Sequence, residues 1–134
     1  MTSGFLADTN ILTCWIADQR HLTPLQRRVL QHTEANERPF AISPITFTEI
    51  AFLATDYRER AHKVTAQMIE LLRDHPLVNV LPITAEIALD VGALRHKLRD
   101  PMDCIIVATA RVHGLKLMTL DHRIIDSRLV PVIE

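Results

Sequence analysis

Short apolar runs alternate along this chain with longer stretches in which apolar residues recur every three or four positions, and that alternation sets the first expectation. Gly4-Phe5-Leu6-Ala7 is an apolar run that stops at Asp8 and predicts a buried strand. Thr23 and Pro24 supply an N-cap and a first-turn proline, and Leu25, Val29 and Leu30 follow at helical spacing. Phe40-Ala41-Ile42 predicts a second strand, and Ser43-Pro44 opens a helix carrying Ile50, Leu53 and Ala54. A further helix, over 58–73, carries Ala61, Val64, Met68, Leu71 and Leu72 and ends before His75-Pro76. Residues 77–83 form a third predicted strand, after which Thr84 caps a helix with Ile87, Val91, Leu94 and Leu98 on one face. Asp100-Pro101 repeats the cap-and-proline signal ahead of a helix over 102–113 that is apolar on nearly every side, hence predicted buried, with Gly114 as its stop. Residues 115–118 predict a fourth strand and 129–133 a fifth, with a short helix near Ile124 between them. Short strands separated by helices of this length pair in parallel. The expected fold is therefore α/β, a three-layer α/β/α sandwich around a central parallel sheet of about five strands, formed as one domain over residues 1–134.

Composition agrees with a packed domain: 48% of the 134 residues are hydrophobic, and three glycines leave no Gly/Ser-rich linker. Fifteen Lys+Arg against 16 Asp+Glu give a net charge of −1, so bulk charge alone argues against a nucleic-acid partner. No apolar run reaches the roughly 18 residues of a membrane span, and Asp8 interrupts the first one before a signal-peptide core can form, so a cytoplasmic location is expected. Cys14 and Cys104 stand 90 positions apart without zinc-site spacing, and the seven histidines include no i, i+4 pair. Arg outnumbers Lys twelve to three, which suits phosphate contacts and surface ion pairs alike.

The acids carry more information. In open parallel sheets, sites form beyond the carboxyl ends of the strands. Asp8 follows the first strand, Glu49 lies in the helix after the second, Asp103 opens the buried helix leading to the fourth, and Asp121 follows the fourth after Thr119-Leu120. If these four meet, like charges raise one another's proton affinity unless a cation intervenes. Mg²⁺ or Mn²⁺ suits such an oxygen-only set. Each acid also has a plainer role. Asp100 is an N-cap, Asp103 suits the helix dipole, and Thr46-Phe47-Thr48-Glu49 fits a capping box. Asp121 can open a turn or cap the helix near Ile124, whereas Asp8 has no helix that obviously needs it.

Taken together the residues resemble the PIN domain, the metal-dependent nuclease fold of VapC-type toxins. The resemblance runs through Phe5-Leu6-Ala7-Asp8-Thr9-Asn10-Ile11-Leu12 with Trp15, then residues 42–51 and Leu81-Pro82-Ile83-Thr84. Its most specific part is the D-P-x-D-x-x-I-x-A-T-A run from Asp100 to Ala110, with T-x-D placing Asp121 eighteen residues after Asp103. This likeness implies an acidic quartet of Asp8, Glu49, Asp103 and Asp121, with Asp8 and Asp103 as direct metal ligands. It also implies supporting roles for Asn10 and Thr119, and an outer role for Asp100 beyond its cap. The sequence departs from the family at Cys104, where Arg is common, and at Met102, where Phe or Ala is usual.

The implied activity is hydrolysis of RNA phosphodiester bonds by metal-activated water, in a VapBC-like toxin–antitoxin pair. A VapB-like antitoxin and a homodimer are the implied partners. Trp15 and the 58–73 helix, with Arg60 and Lys63 exposed, can frame an apolar groove for such a partner, although core packing of Trp15 and Met68 explains the same residues. Rival readings are a PIN-domain RNA-processing nuclease without an antitoxin, and a non-catalytic protein-binding module. A phosphatase with Asp8 as covalent nucleophile needs an acid two residues on, where Asn10 stands. Setting the quartet aside as metal-bound leaves 15 basic against 12 acidic side chains, with Arg27, Arg28, Arg95, Lys97, Arg99, Arg111 and Arg123 to meet phosphates.

Overall fold

The computed structural model describes the backbone of residues 4–53 and 59–134, and the side chains of all of these but 59–62. Ala54, Arg58 and the side chains of Arg60 and Ala61, named above, lie outside the described residues. The strands are β1 (Phe5–Ala7), β2 (Phe40–Ile42), β3 (Val78–Val80), β4 (Lys116–Met118) and β5 (Val132–Ile133). They form one parallel sheet in the order β3-β2-β1-β4-β5, as the alternation of short strands and helices requires. The order puts β1 at the centre and the topological switch between β1 and β4.

Period-two alternation divides the strand side chains between two cores. Leu6, Ala41 and Leu117 face a core closed by Ile87 and Leu94 of helix α5 (Ala85–Leu94), and by Ile106, Val107 and Ala110 of α6 (Pro101–Val112). Phe5, Ala7, Phe40, Ile42 and Met118 face the other. That second core is closed by Ile11 and Leu12 of α1 (Thr9–Ala17), Leu30 of α2 (Pro24–Ala35), Ile50 of α3 (Ile45–Phe52) and Leu72 of α4 (Glu59–Asp74). Helix α7 (His122–Ser127) adds Ile124 to the first core. Helix α6 is buried as its all-round apolar pattern predicts, and Gly114, at φ 65°, takes the left-handed conformation that ends it. No helix among the described residues is long and apolar enough to cross a membrane.

Three local expectations are revised, and one helix is added to those expected. Helix α1 forms in a Thr-, Ile- and Trp-rich segment of low helix propensity; burial of Ile11 and Leu12 against the sheet overrides that preference. Asp8 is consequently a helix N-cap after all. Strands β3 and β5 are two or three residues long, shorter than the apolar runs that announced them, because only those residues pair with β2 and β4. Thr46 and Glu49 do not form a capping box: α3 starts at Ile45 behind Pro44, so Thr46 lies inside the helix and is fully buried. Trp15 leans edge-on against Phe40, with centroids 5.3 Å apart, and donates to Glu34 at 2.6 Å, while Met68 packs against the second core. Core packing thus accounts for both residues.

One buried polar side chain ties the strand ends together. Gln26, fully buried, accepts from Thr23 N–H at 3.0 Å in the capping box of α2 and donates to the carbonyls of Thr119 at 2.9 Å and Ile133 at 3.0 Å. Replacing it by an isosteric apolar side chain leaves one buried and two part-buried groups without these partners. Gln26→Leu should therefore lower stability by about 2–4 kcal/mol in urea unfolding; an unchanged urea midpoint would show that the three bonds contribute nothing.

Candidate active site

In an open parallel sheet the switch point, here between β1 and β4, is where a crevice forms, and the candidate acids lie on different elements around it. Asp8 leaves the end of β1 and caps α1. Its carboxylate accepts from Thr9 N–H at 2.8 Å and from the Thr119 hydroxyl at 2.8 Å, and only 6% of the residue is exposed. Thr119, fully buried just beyond β4, uses the same Oγ1 to accept from Asp121 N–H at 3.0 Å, so one hydroxyl positions two acids. Glu49 sits on α3 one turn after Thr46, on the same helix face. Its Oε1 accepts from the Thr9 hydroxyl at 2.7 Å, and Thr9 Oγ1 lies 3.0 Å from Thr46 Oγ1.

Asp103, in the first turn of α6, is 8% exposed. Among the described residues no hydroxyl or amide donates to its carboxylate; the nearest positive charge is Arg123 Nη2, at 4.0 Å. Asp121 caps α7, accepting from Arg123 N–H at 2.9 Å, and is gripped by the Arg123 guanidinium, Nη2 to Oδ2 at 3.0 Å and Nε to Oδ1 at 3.2 Å. Asp100 caps α6 through Met102 N–H at 2.9 Å. Asn10 is exposed on the first turn of α1, and no hydrogen bond involves its side chain among the described residues. Cys104 is fully buried, its thiol donating to Leu98 O at 3.4 Å, so the departure from the family at that position faces the core rather than the crevice. Met102 is half-buried beside it.

Proton affinities show that these carboxylates sense one another. Burial pushes Asp8 above the ordinary range; hydrogen bonds from Thr119 and Thr9 pull it back, and the charges of Asp121 and Asp100 push it up again. Burial likewise raises Glu49, against the Thr9 bond and with the charges of Asp8 and Asp100. Asp103 is the extreme case: burial, then Asp100, Asp8 and Asp121, push it up to about 7, and Arg123 relieves only part of this. Asp121 goes the other way. Burial opposes its charge, but the bonds from Arg123 outweigh burial and hold it below the ordinary carboxylate range.

The donor set is all oxygen, which suits a hard divalent ion. Among the described residues no three acidic, His or Cys donors close around one point. The acids sit instead in hydrogen bonds and an ion pair with Thr9, Thr119 and Arg123, as unscreened like charges do. Mg²⁺ and Mn²⁺ commonly bind through one or two carboxylates and several waters, so an oxygen-only set of this chemistry suits such an ion without three carboxylates closing on it. Of the basic residues counted toward phosphate, Arg111 is already engaged by Asp90 at 2.9 Å and Leu129 O at 2.8 Å. Arg27 and Arg95 donate to the carbonyls of Leu22 and Arg99.

Three contributors were not identified from the sequence. Thr9 stands in the Asp8-Thr9-Asn10 run, but its neighbour Asn10 drew attention instead. Gln26 was detectable as the third residue after the Thr23 cap, though not its reach to Thr119. Arg123 was counted as a phosphate contact and not as the partner of Asp121.

The fold recurs in solved structures. It matches VapBC2 from Rickettsia felis, bound to a DNA fragment from its promoter, with a TM-score of 0.72 at 16% identity, covering 96% of both chains. A toxin–antitoxin complex from Klebsiella pneumoniae matches with a TM-score of 0.66 at 29% identity, covering 98% of this chain and 97% of that one. In sequence, Ribonuclease VapC22 of Mycobacterium tuberculosis is 28% identical over 124 residues, 92% of this chain and 91% of that protein. The profile of the PIN domain matches residues 5–128, a span that holds all four acids and every strand but β5, and the chain belongs to the PIN domain family.

Proposed function

We propose that this protein is a Mg²⁺- or Mn²⁺-dependent endoribonuclease and the toxin of a VapBC-like pair. The observation that carries the proposal is Asp103: a buried carboxylate that no hydroxyl or amide stabilises among the described residues is pressed by three other acids until it holds its proton to about pH 7, and an added cation favours its ionised form. Similarity to a protein named a ribonuclease supports RNA as substrate, and similarity to toxin–antitoxin complexes supports a VapB-like antitoxin. A homodimer and a cytoplasmic location complete the reading, with residues 1–134 acting as one domain.

When bound, a divalent ion supplies Lewis acidity toward water and countercharge for the leaving oxygen. Asp8 and Asp103 would hold the ion directly. Thr119 keeps the Asp8 carboxylate fixed through Oδ2, so its geometry is set before loading. Glu49 has one oxygen bonded to Thr9, and its raised proton affinity suits it to take a proton from the attacking water. Asp121 would orient water once an ion replaces the charge of Arg123, and Asp100 adds negative charge near Asp103.

The test is cleavage of matched RNA and DNA oligonucleotides by purified protein with Mn²⁺, Mg²⁺ or chelator. RNA should be cut with either metal and spared in chelator, and the product of an adjacent small reading frame should co-purify and inhibit. Undiminished cleavage in chelator would overturn the metal assignment, and cleavage of DNA alone the substrate assignment. Active protein with no such partner would instead favour an RNA-processing nuclease.

A further inference from the structure

Arg123 stands where a cation is least expected. It is the second residue of α7, and the amino end of a helix disfavours positive charge. The guanidinium is nevertheless held there. It grips Asp121 with two N–H donors, and Nη2 lies 3.0 Å from Asp121 Oδ2 and 4.0 Å from Asp103 Oδ2. The two carboxylates belong to different helices, and their side chains are only 16% and 12% exposed, whereas the Arg123 side chain is 77% exposed. One side chain from the solvent side thus bridges two of the four acids.

We infer that the Arg123 guanidinium is an internal counter-cation of the crevice, occupying the Asp103–Asp121 gap, and that a divalent ion must displace it to load. The inference rests on the metal-centre reading of the four acids. The guanidinium already takes up acceptor positions on both Asp121 oxygens, at 3.0 Å and 3.2 Å, and two cations sharing the gap repel. Being exposed, and held at its tip by Asp121 alone through hydrogen bonds, the guanidinium can swing out to solvent or to a substrate phosphate, for which its planar fork is suited. Arg123 is on this account a competitor of the metal rather than a ligand of it, and a side chain freed when the ion arrives.

Calorimetric Mn²⁺ titration of the metal-free protein, without RNA, tests this for wild type, Arg123→Ala, Arg123→Lys and Asp103→Asn. Arg123→Ala should bind Mn²⁺ about tenfold more tightly than wild type, Arg123→Lys should fall near wild type, and methylguanidinium at non-denaturing concentration should weaken binding in Arg123→Ala toward the wild-type value. Equal or weaker affinity in Arg123→Ala, with wild type binding and Asp103→Asn not, would leave the metal centre standing and overturn the counter-cation role, since a residue that merely positions Asp121 must weaken binding when lost. If neither wild type nor Arg123→Ala binds Mn²⁺, the metal centre itself fails and this inference with it.

Discussion

Asp103→Asn should reduce metal-dependent RNA cleavage by about two to four orders of magnitude, the range that separates a working acid–base and metal centre from a disabled one. The substitution keeps shape and volume. What it removes is the negative charge of a carboxylate that, among the described residues, receives no hydrogen bond from protein and is therefore free to face an ion. Asp8→Asn should act in the same direction, although Asp8 also holds Thr9 N–H and the Thr119 hydroxyl, so its replacement disturbs local geometry as well as charge. Asp103 is the cleaner site for that reason. Cleavage rates measured under single-turnover conditions at saturating Mn²⁺ decide the matter: a loss smaller than tenfold would remove Asp103 from the direct ligands.

The same substitution should stabilise the metal-free protein, and by an amount that depends on pH. In the folded chain Asp103 is pushed up to about 7, from an ordinary value of 3.8. Between those values the native state holds a proton that the unfolded chain has released, so stability falls as pH rises across that window. Each unit is worth about 1.36 kcal/mol, which sets an upper bound of about 4 kcal/mol on the decline due to this one group. Asp8 and Glu49, also raised, add in the same direction, whereas Asp121, lowered by Arg123, contributes stability that is lost as pH falls below the ordinary carboxylate range. In chelator the wild type should therefore lose melting temperature between pH 5 and pH 8, and Asp103→Asn should flatten most of that slope, melting roughly 5–10 °C higher at pH 8. Mn²⁺ should reverse the wild-type trend, because it binds the ionised form. A melting temperature that rises with pH in chelator would show that Asp103 ionises without penalty.

Much of the architecture was legible because parallel strands are buried on both faces and so appear as uninterrupted apolar runs bounded by polar residues. Phe5-Leu6-Ala7, Phe40-Ala41-Ile42 and Leu117-Met118 were visible for that reason, as were the Thr23 and Asp100 caps, each followed by proline. The acids were legible by position alone, at strand ends and helix starts. Helix α1 was not, since its helicity comes from docking against the sheet and not from its own residues. Nor was the internal wiring of the crevice. That Thr9 and not Asn10 holds Glu49 depends on which face of α1 docks against α3 across 40 positions, and that Arg123 reaches Asp103 depends on the start of α7 lying beside the start of α6. Sequence spacing constrains neither.

The central place of β1 has a further consequence for how the chain is made. Its first strand pairs with β2 on one side and with β4, more than a hundred residues later, on the other. The hydroxyl that fixes Asp8 comes from Thr119, and the last acid is Asp121, so any nascent chain that ends before these residues has three acids at most and one of them unanchored. A ribosome building this protein therefore carries no complete set of these four acids until the chain has emerged past Asp121, more than a hundred residues after the first of them.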